Sequence, residues 1–600
     1  MYIFIFIYNK MVKKKLFSPT SLMNYIRCDC ICDYIDLCTD TNLQNDKSLF
    51  TYITESGIEY ERQVINEIEQ MRDVSKFSTL RLNKVDKSID KLYKETVTAI
   101  QSCKYDLILD GVLINNDNLT YGYPDLIVST RWINKYISES IVNDDSYVYY
   151  IIDIKGSSIN LINSGLNMSM NKKYEGYKYQ IYIYKEALNK IQKYKPKNNY
   201  GFILGKNYKY QENGKYVNIT NPFKTLGLID YNSINEKGIN YEKNIKDAII
   251  YKKSVNKNDK KCKKILKTIN NNKSVINTKI QSSINKGKDN SKQFINMKNI
   301  YDRGHSKIKK YMAHNNKEIT AFYKCGIKQR EIANRHDIYD YDDKRLTPEK
   351  LGFTTKNSFY NIIKNMLKGI HSNKLITVPV KNNVNNWRTY VLNEFFVDFE
   401  TYNVPHFGEH DVNKLYMIGV GYYDLEYNWK YKCFKLEKMY NYEEQLKIMM
   451  NDFISFINSF NVQNMPTDIY YKNIRLYHWS HIERTLFKKK VELLKINDPL
   501  YNLPWFDLIE VFRDKINPII VKDCISFKLK DIVKKLNEYN LLSLKWDDID
   551  DGLLSSYKAY SIYENSNENE YGNNTIMSIV NYNEIDCKAV YLLLLLIRTY

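Results

Sequence analysis

Two short stretches of the chain place acidic side chains where metal chemistry would need them. In YYIIDIKGS the acid Asp153 and the base Lys155 are two residues apart, and in FFVDFETYN the acids Asp398 and Glu400 have the same spacing. Side chains alternate across a β-strand, so each pair projects from one face. Burying such charges without partners is costly, so we expect a divalent cation or an ion pair beside each.

Further residues suit a cation site beside Asp153. The stretch YGYPDLIVS predicts a neighbouring strand that carries Asp125. Two carboxylates and the Ile154 carbonyl can together bind a hard cation such as Mg²⁺. Lys155 would then hold the attacking water and offset the charge that develops on a phosphate. The amphipathic helix predicted for GIEYERQVINEIEQM is expected to aim Glu61 at the same sheet.

Two pairs of residues lie four apart on predicted helices, and each pair therefore shares a helix face. Gln180 and Tyr184 lie in KYEGYKYQIYIYKEALNKI, where both can donate hydrogen bonds to DNA or to the attacking water. Tyr582 and Asp586 lie in YNEIDCKAVYLLLLLI, where Asp586 can bind a metal and Tyr582 can orient water. Two cations about 4 Å apart, held by such carboxylates, can contact both the attacking and the leaving oxygen of a phosphodiester.

The first set of residues resembles the RecB-like branch of the PD-(D/E)xK nucleases. The resemblance is carried, in chain order, by Glu61, Pro124, Asp125, Asp153, Ile154, Lys155, Gln180 and Tyr184. Related nucleases can hold an iron–sulfur cluster through one early cysteine and three cysteines after the Gln/Tyr helix. Cys28 stands at the early position, but after Tyr184 only Cys262 and Cys325, far apart, come before the second block. No iron–sulfur cluster is therefore expected.

The second set resembles the ribonuclease H-like exonuclease superfamily, whose acidic motifs are D-x-E, D and Y-x₃-D. The D-x-E of FFVDFETYN matches the first motif, and the Y-x₃-D of YNEIDCKAV matches the last. For the middle motif the resemblance implies Glu483 as a further metal ligand, one helical turn past the strand IRLYHWS, with Asp507 as the later alternative. His478 and His481 could instead bind zinc, although we expect His478 to be packed and hydrogen-bonded on its strand.

The order of the elements predicts an α/β protein with two mixed-sheet nuclease domains joined by a helical region. As a whole, the chain resembles RecB-family nucleases fused to a YprB-type ribonuclease H-like domain. This implies a restriction-endonuclease-like domain over 17–230, a Lys/Asn-rich linker or insertion over 231–296, a helical region over 297–388, and a ribonuclease H-like (DEDD-type) domain over 389–600. In the helical region, Lys328, Arg330 and Arg335 are either phosphate contacts or solvated side chains.

Composition restricts the partners and the compartment. The 600 residues carry a formal charge of +20, which favours a polyanionic partner, although AT-rich codons also enrich Lys, as in some large DNA viruses. Ten cysteines are present; Cys28, Cys30, Cys32 and Cys38 lie together and are expected to be free thiols rather than zinc ligands. The opening MYIFIFIYNK is too short to span a bilayer, so we expect an intracellular, soluble protein without membrane association.

These observations together predict a Mg²⁺- or Mn²⁺-dependent nuclease that hydrolyses DNA. Exonuclease action is preferred because both families contain many exonucleases. Replication, recombination or repair is the expected setting, and a helicase partner stays open. Three alternatives remain: an enzyme with one working site, a non-catalytic nucleic-acid-binding recombination factor, and a nuclease acting on RNA, since neither site holds an obvious reader of the 2′-hydroxyl.

Overall fold

The computed structural model shows a mixed α/β protein with several sheets, which confirms the predicted α/β class. Its described part forms two compact units, one within 15–309 and the other within 310–600. The structure describes residues 15–38, 47–70, 77–83, 87–137, 141–162, 165–236, 238–255, 295–302, 304–381, 384, 386–403, 413–424, 426, 428–437, 441–461, 463–546, 552–565 and 570–600.

A seven-stranded mixed sheet forms the framework of the first unit. Its strand order is β1-β2-β5-β6-β7-β8 with β9 paired to β7, and β3 and β4 form a separate antiparallel pair. The strands are β1 (Thr79–Arg81), β2 (Leu107–Leu109), β3 (Leu113–Asn115), β4 (Thr120–Gly122), β5 (Leu126–Ser129), β6 (Tyr149–Asn160), β7 (Tyr200–Glu212), β8 (Lys215–Ile219) and β9 (Gly227–Asp230). Strands β5 and β6 are antiparallel, with Leu126 opposite Ile152. Asp125, which precedes Leu126, and Asp153, which follows Ile152, are therefore next to each other.

Apolar side chains cover both faces of this sheet. On β6, Tyr149 and Ile151 belong to one core, whereas Tyr150, Ile152 and Ile154 belong to another. The helices of the unit are α1 (Pro19–Ile26), α2 (Ile31–Cys38), α3 (Lys47–Gln70), α4 (Ile89–Ser102), α5 (Thr130–Tyr136), α6 (Glu175–Ile191), α7 (Tyr231–Glu236) and α8 (Tyr241–Ser254). Short 3₁₀ turns cover Lys172–Tyr174 and Pro222–Lys224.

The span predicted as a linker, 231–296, differs from that expectation in its first part. Helix α8 buries Tyr241, Ile245, Ala248 and Ile249 in the same core as α6. These residues have helical spacing, but the surrounding Lys and Asn residues obscured it in the sequence. The linker prediction for 256–294, and Cys262 with it, lies outside the described residues.

A five-stranded mixed sheet carries the second predicted site in the other unit. Its strand order is β13-β12-β11-β14-β15, in which β11 is antiparallel to β12 and parallel to β14. The strands of the unit are β10 (Ile376–Thr377), β11 (Asn393–Asn403), β12 (Asn413–Tyr423), β13 (Trp429–Lys435), β14 (Ile474–His478), β15 (Trp505–Asp507) and β16 (Ile520–Val521). Strand β11 is central and apolar, so the acids within it are held at fixed heights in the sheet.

The remaining helices follow in chain order. They are α9 (Ser306–Asn315), α10 (Ile327–Asn334), α11 (Tyr360–Ile370), α12 (Tyr442–Ser459), α13 (Thr467–Lys472), α14 (Ile482–Leu493), α15 (Leu508–Phe512), α16 (Leu529–Glu538), α17 (Gly552–Asn565) and α18 (Glu570–Arg598). Further 3₁₀ turns cover Ile319–Ala321, Glu349–Leu351 and Pro499–Tyr501. Among the helices of the described ranges, none has the length and apolarity required to cross a membrane.

The predicted helical region 297–388 is not a separate unit. Phe322, Ile363 and Trp387 lie in one hydrophobic cluster with Phe396 of β11 and Leu594 of α18. Most of this region therefore shares its core with the residues predicted to form the C-terminal domain. Sequence periodicity shows which face of a helix is apolar, but it does not show which domain that face packs against.

A buried ion pair fixes α18 to the strand that carries the second pair of acids. Arg598 donates to both carboxylate oxygens of Glu394, at 2.7 and 2.9 Å, and only 3% and 4% of the two side chains is exposed. Tyr477 also donates to Glu394, at 3.2 Å. Because α18 carries Asp586 and β11 carries Asp398, this pair sets the position of one acid relative to the other.

We expect Glu394→Ala to lower the free energy of unfolding of the second unit by about 3–5 kcal/mol, because it leaves the Arg598 guanidinium buried without its counter-charge. Denaturant titration followed by tryptophan fluorescence measures the change. The double variant Glu394→Leu/Arg598→Leu should recover most of the loss, and Glu437→Ala, at an exposed site, is the matched control. A change below about 1 kcal/mol for Glu394→Ala would show that the pair does not hold α18.

Candidate functional site

The first predicted cluster comes together where β5 meets β6. Asp125 accepts a hydrogen bond from the Ile154 N–H at 2.6 Å, and Asp153 forms an ion pair with Lys155. The Asp153 side chain is fully buried, whereas 19% of the Lys155 side chain is exposed. Solvent therefore reaches part of the Lys155 side chain but none of the Asp153 side chain.

Electrostatics couples these groups. Burial raises the pKa of Asp125 well above its usual range, and the carboxylates of Asp153 and Glu61 raise it further, with Lys155 opposing them. Burial alone would lower the pKa of Lys155, but Asp153 and Asp125 outweigh it, so the net shift is upward. Lys155 is thus held as a cation, and the neighbours of Asp125 favour its neutral form until another positive charge offsets them.

Glu61 reaches this cluster from α3. The preceding residue, Tyr60, is buried, and its hydroxyl donates to the Gly205 carbonyl of β7 at 3.3 Å, which fixes the helix on the sheet. The predicted orientation of Glu61 therefore agrees with its effect on the pKa of Asp125. In the part of the chain that the structure describes, the carboxylates of Glu61, Asp125 and Asp153 do not form a set whose ligand atoms all lie within 4.8 Å of one another.

The predicted pair on α6 also faces this cluster. Gln180 donates to Asp153 at 3.3 Å and to the Tyr184 hydroxyl at 3.1 Å. The Tyr184 ring lies against Gly122 of β4, where a Cβ atom would overlap it. The ring therefore fits only because residue 122 has no side chain. Burial also raises the pKa of the Tyr184 hydroxyl.

The second predicted cluster is tighter. Asp398 and Glu400 of β11 and Asp586 of α18 each offer a carboxylate oxygen, and these three oxygens lie within 4.8 Å of one another. No other group of at least three His, Cys, Asp or Glu side chains within the described ranges meets this distance. Oxygen donors at this spacing suit a hard cation such as Mg²⁺ or Mn²⁺.

Neighbouring donors hold two of these carboxylates. Ser555 of α17 donates to Glu400 at 2.9 Å and is itself paired with the Tyr416 hydroxyl at 3.1 Å. The Trp546 indole N–H donates to Asp586 at 2.8 Å. Tyr582 also forms a hydrogen bond with Asp586, and Asn583 with Glu400. Because each carboxylate oxygen has two lone pairs, an acid that accepts these hydrogen bonds can still bind a cation.

The third carboxylate is held by α18. The Asn583 amide donates to the Asp398 carboxylate at 2.8 Å, and the Tyr431 hydroxyl donates to the Asn583 amide oxygen at 2.9 Å. Gly419 of β12 makes room for this amide, because a Cβ at that position would overlap the Asn583 side-chain oxygen. Asn583 and Gly419 thus form one unit that orients Asp398.

Burial, with repulsion between the acids added to it, governs the protonation of the cluster. Burial raises the pKa of Glu400 from 4.5 to about 8, with the Asp586 carboxylate adding to the shift. Burial and the neighbouring acids also raise the pKa of Asp398, and burial raises the pKa of Asp586. Lys530 lowers all three pKa values without cancelling the rise. Added positive charge would therefore stabilise the ionised form of the cluster.

Tyr582 lies beside this cluster, one helical turn before Asp586. Its hydroxyl is hydrogen-bonded to the Asp586 carboxylate and accepts from the Lys530 ammonium at 3.0 Å. Burial raises the pKa of Tyr582, so the phenol keeps its proton at neutral pH. The hydroxyl thus donates to Asp586 and accepts from Lys530, and its role in orienting water stays a prediction.

Glu483 is close to the cluster but outside its 4.8 Å group. Its carboxylate lies 3.3 Å from the His478 ring nitrogen Nδ1 and accepts from the Ser480 hydroxyl at 3.4 Å. Ser480 has a φ of 131°, a conformation that is unfavourable for a residue with a side chain. The alternative acid, Asp507, accepts from the Ser480 N–H at 3.0 Å, so both candidates border the same strained residue.

The two histidines are placed differently. His478 is buried at the end of β14, and its Nδ1 is hydrogen-bonded to the Ser480 carbonyl, in agreement with the packed arrangement expected for it. His481 is exposed and precedes the first residue of α14.

Arg330 does not fit the predicted phosphate contact. Its side chain is buried and forms an ion pair with Glu318 at 3.0 Å. Arg335 is exposed and pairs with Glu331 at 2.8 Å, and Lys328 is exposed. The sequence predicts three basic residues in one helical segment, but it does not show that the middle one, Arg330, is paired with a buried acid.

Three of the early cysteines are described by the structure. Cys28, Cys30 and Cys32 carry thiols, and those of Cys30 and Cys32 are buried. Burial raises the pKa of both buried thiols, which disfavours the thiolate that zinc binding needs. The side chain of Cys38 lies outside the described set.

Sequence reasoning missed four residues that complete the second site: Lys530, Trp546, Ser555 and Asn583. Asn583 could have been found, since it lies three residues before Asp586 and so on the same side of the helix. Ser555 and Trp546 lie in segments with no chemical motif, and only the fold brings them to the acids.

The chain matches no protein-family model, and it matches neither a curated protein nor a solved structure. The geometry of the two clusters is therefore the basis for a functional assignment.

We expect the melting temperature of the metal-free protein to fall between pH 5 and pH 8, and Glu400→Gln to reduce this fall. The folded state holds a proton on Glu400 up to about pH 8 that the unfolded chain releases near 4.5, so stability present at low pH is lost as the pH rises through that range. Each 1 kcal/mol corresponds to about 2–4 °C. Thermal melts in EDTA measure the effect. Glu426→Gln, near an exposed turn, is the control, and parallel curves for Glu400→Gln and wild type would contradict the assignment.

Proposed function

We propose that the chain is a Mg²⁺- or Mn²⁺-dependent nuclease that hydrolyses DNA phosphodiesters. In this proposal the first unit contains a RecB-like PD-(D/E)xK nuclease domain and the second a ribonuclease H-like exonuclease domain. The observation that carries the proposal is the convergence of Asp398, Glu400 and Asp586, from a central strand and a distant helix, within 4.8 Å.

The residues of the second site fit a bound cation. The raised pKa values of the three carboxylates would fall if positive charge were supplied, and each carboxylate already accepts a hydrogen bond that fixes its orientation. A divalent ion bound there would act as a Lewis acid on the phosphate and lower the pKa of water. Tyr582 would orient the attacking water through its hydroxyl.

The reaction proposed at both sites is hydrolysis. Water adds to phosphorus, the P–O bond to one sugar breaks, and one water proton ends on the released sugar hydroxyl. The products are a phosphate monoester and an alcohol. Positioning and electrostatic stabilisation supply most of the rate in such reactions, because the protein forms no covalent bond.

At the first site, Lys155 supplies fixed positive charge and Asp125 and Asp153 supply oxygen donors. Asp153 is oriented by Gln180 from one side and by Lys155 from the other. The Lys155 ammonium suits a phosphate oxygen. Exonuclease action in replication, recombination or repair is part of the same proposal and rests on the resemblance to both families.

We expect Asp153→Ala and Asp398→Ala each to reduce cleavage of end-labelled DNA in Mn²⁺, and the double variant to lose it. Asp153→Ala should lose more, because Glu483 stands where the related exonucleases have Asp. Each loss should exceed the roughly 100-fold that removal of a supporting contact causes, since a ligand to the cation itself is removed. Gel analysis of single- and double-stranded DNA and RNA over time gives the rates and the product ladder.

Two exposed aspartates serve as matched controls. Asp117→Ala and Asp468→Ala, with 82% and 74% of the side chain exposed, should cleave as the wild type does. Cleavage that survives the double substitution overturns the two-site proposal. DNA binding in EDTA without cleavage in Mg²⁺ or Mn²⁺ would favour a non-catalytic recombination factor, and faster cleavage of RNA would favour an RNA-processing enzyme.

A further inference from the structure

Lys530 is the basic group at the second site, and no acidic motif indicates it. Its ammonium donates to the Tyr582 hydroxyl at 3.0 Å and lies 4.2 Å from the centroid of the Tyr582 ring. The centroid of the Trp546 ring, on another segment, lies 5.3 Å from the same ammonium. Two aromatic rings and a hydroxyl therefore define the place of one positive charge.

The helix that carries Lys530 is anchored independently of the acids. Ile532, Val533 and Leu536 of α16 are buried in the large core of the unit, so the first turn of the helix is held in place. Lys530 is the second residue of that helix. A cation at a helix N-terminus opposes the helix dipole and is unfavourable there. The chain thus places the lysine where helix stability alone would disfavour it.

The charges around Lys530 indicate why a lysine lies at this position. Asp398, Glu400 and Asp586 all have pKa values that Lys530 lowers, so the ammonium is electrostatically close to the whole cluster. A lysine next to a cation site repels the cation and weakens its binding. Such a residue favours the ionised acids but opposes the bound metal, and it attracts an anion that joins the metal.

We propose that Lys530 is a catalytic residue of the second site that contacts a non-bridging oxygen of the scissile phosphate. This inference rests on the proposed function. The ligand it predicts is a phosphodiester, or the nucleoside monophosphate left after cleavage. Lys530 also holds Tyr582 by a hydrogen bond to its hydroxyl, so the phosphate contact and the residue that orients water are linked through one ammonium.

The test uses the full chain with the first site silenced by Asp153→Ala, and compares Lys530→Met with Lys530→Arg. Manganese binding is followed by electron paramagnetic resonance, and the part lost on adding Asp398→Ala is assigned to the second site. Lys530→Met should tighten this binding about threefold or more, because a repelling charge is gone. It should also weaken binding of thymidine 5′-monophosphate in Mn²⁺ about tenfold or more.

Cleavage of labelled DNA by the same protein should fall roughly 100-fold for Lys530→Met, with part of the rate kept by Lys530→Arg. Lys534→Met, exposed one turn later on α16, is the control and should change none of the three measurements. If Lys530 only supports the fold, Lys530→Met weakens Mn²⁺ binding together with cleavage, and this result overturns the inference. Unchanged thymidine 5′-monophosphate affinity overturns it as well.

The two proposals fail differently. If the second site is not a nuclease, the Asp153→Ala chain cleaves nothing even with Lys530 present. The Mn²⁺ and thymidine 5′-monophosphate measurements still decide the role of Lys530, since neither requires turnover. Thermal melts identify a Lys530→Met protein that has lost its fold, and Lys530→Arg then carries the comparison.

Discussion

The repulsion between carboxylates brought together in a poorly solvated place is the constraint on which the second unit depends. Asp398, Glu400 and Asp586 are close enough that ionising one opposes ionising the next. A protein that only needed a stable fold gains nothing from this arrangement, and apolar residues of similar size would pack there at lower cost. The strands and helices around the cluster are therefore best understood as the means of holding like charges together.

The two clusters meet the same requirement through different elements. In the first unit, the lysine and one acid lie two residues apart on one face of a single strand, so the backbone of β6 sets their separation. In the second unit, the lysine comes from α16, and side chains of α17 and α18 orient the acids. The second arrangement needs more of the chain to be folded before any of its charges is correctly placed, and the Glu394–Arg598 ion pair supplies part of that order.

Local pattern predicted the strand pairs and helix pairs because their geometry depends on spacing within one element. The spacing of Asp398 and Glu400 places them on one strand face, and that of Tyr582 and Asp586 places them on one helix face. Both placements can be predicted without knowledge of the fold. Ser555 and Trp546 could not be found in this way, since each meets its carboxylate only through tertiary packing. The same limit applies to the helices that begin at residues 231 and 241, within the predicted linker. Their apolar spacing is present in the sequence, but the lysine-rich background hides which side is buried.

The contact between Gly419 and Asn583 links two positions that are far apart in the chain. The strand glycine admits the amide, and the amide orients Asp398. A larger residue at 419 would displace the amide, whereas a smaller residue at 583 would leave a gap above the glycine. Across any set of descendants of this chain, the two positions should consequently change together or not at all, so their joint history records whether the acid beneath them was still under selection.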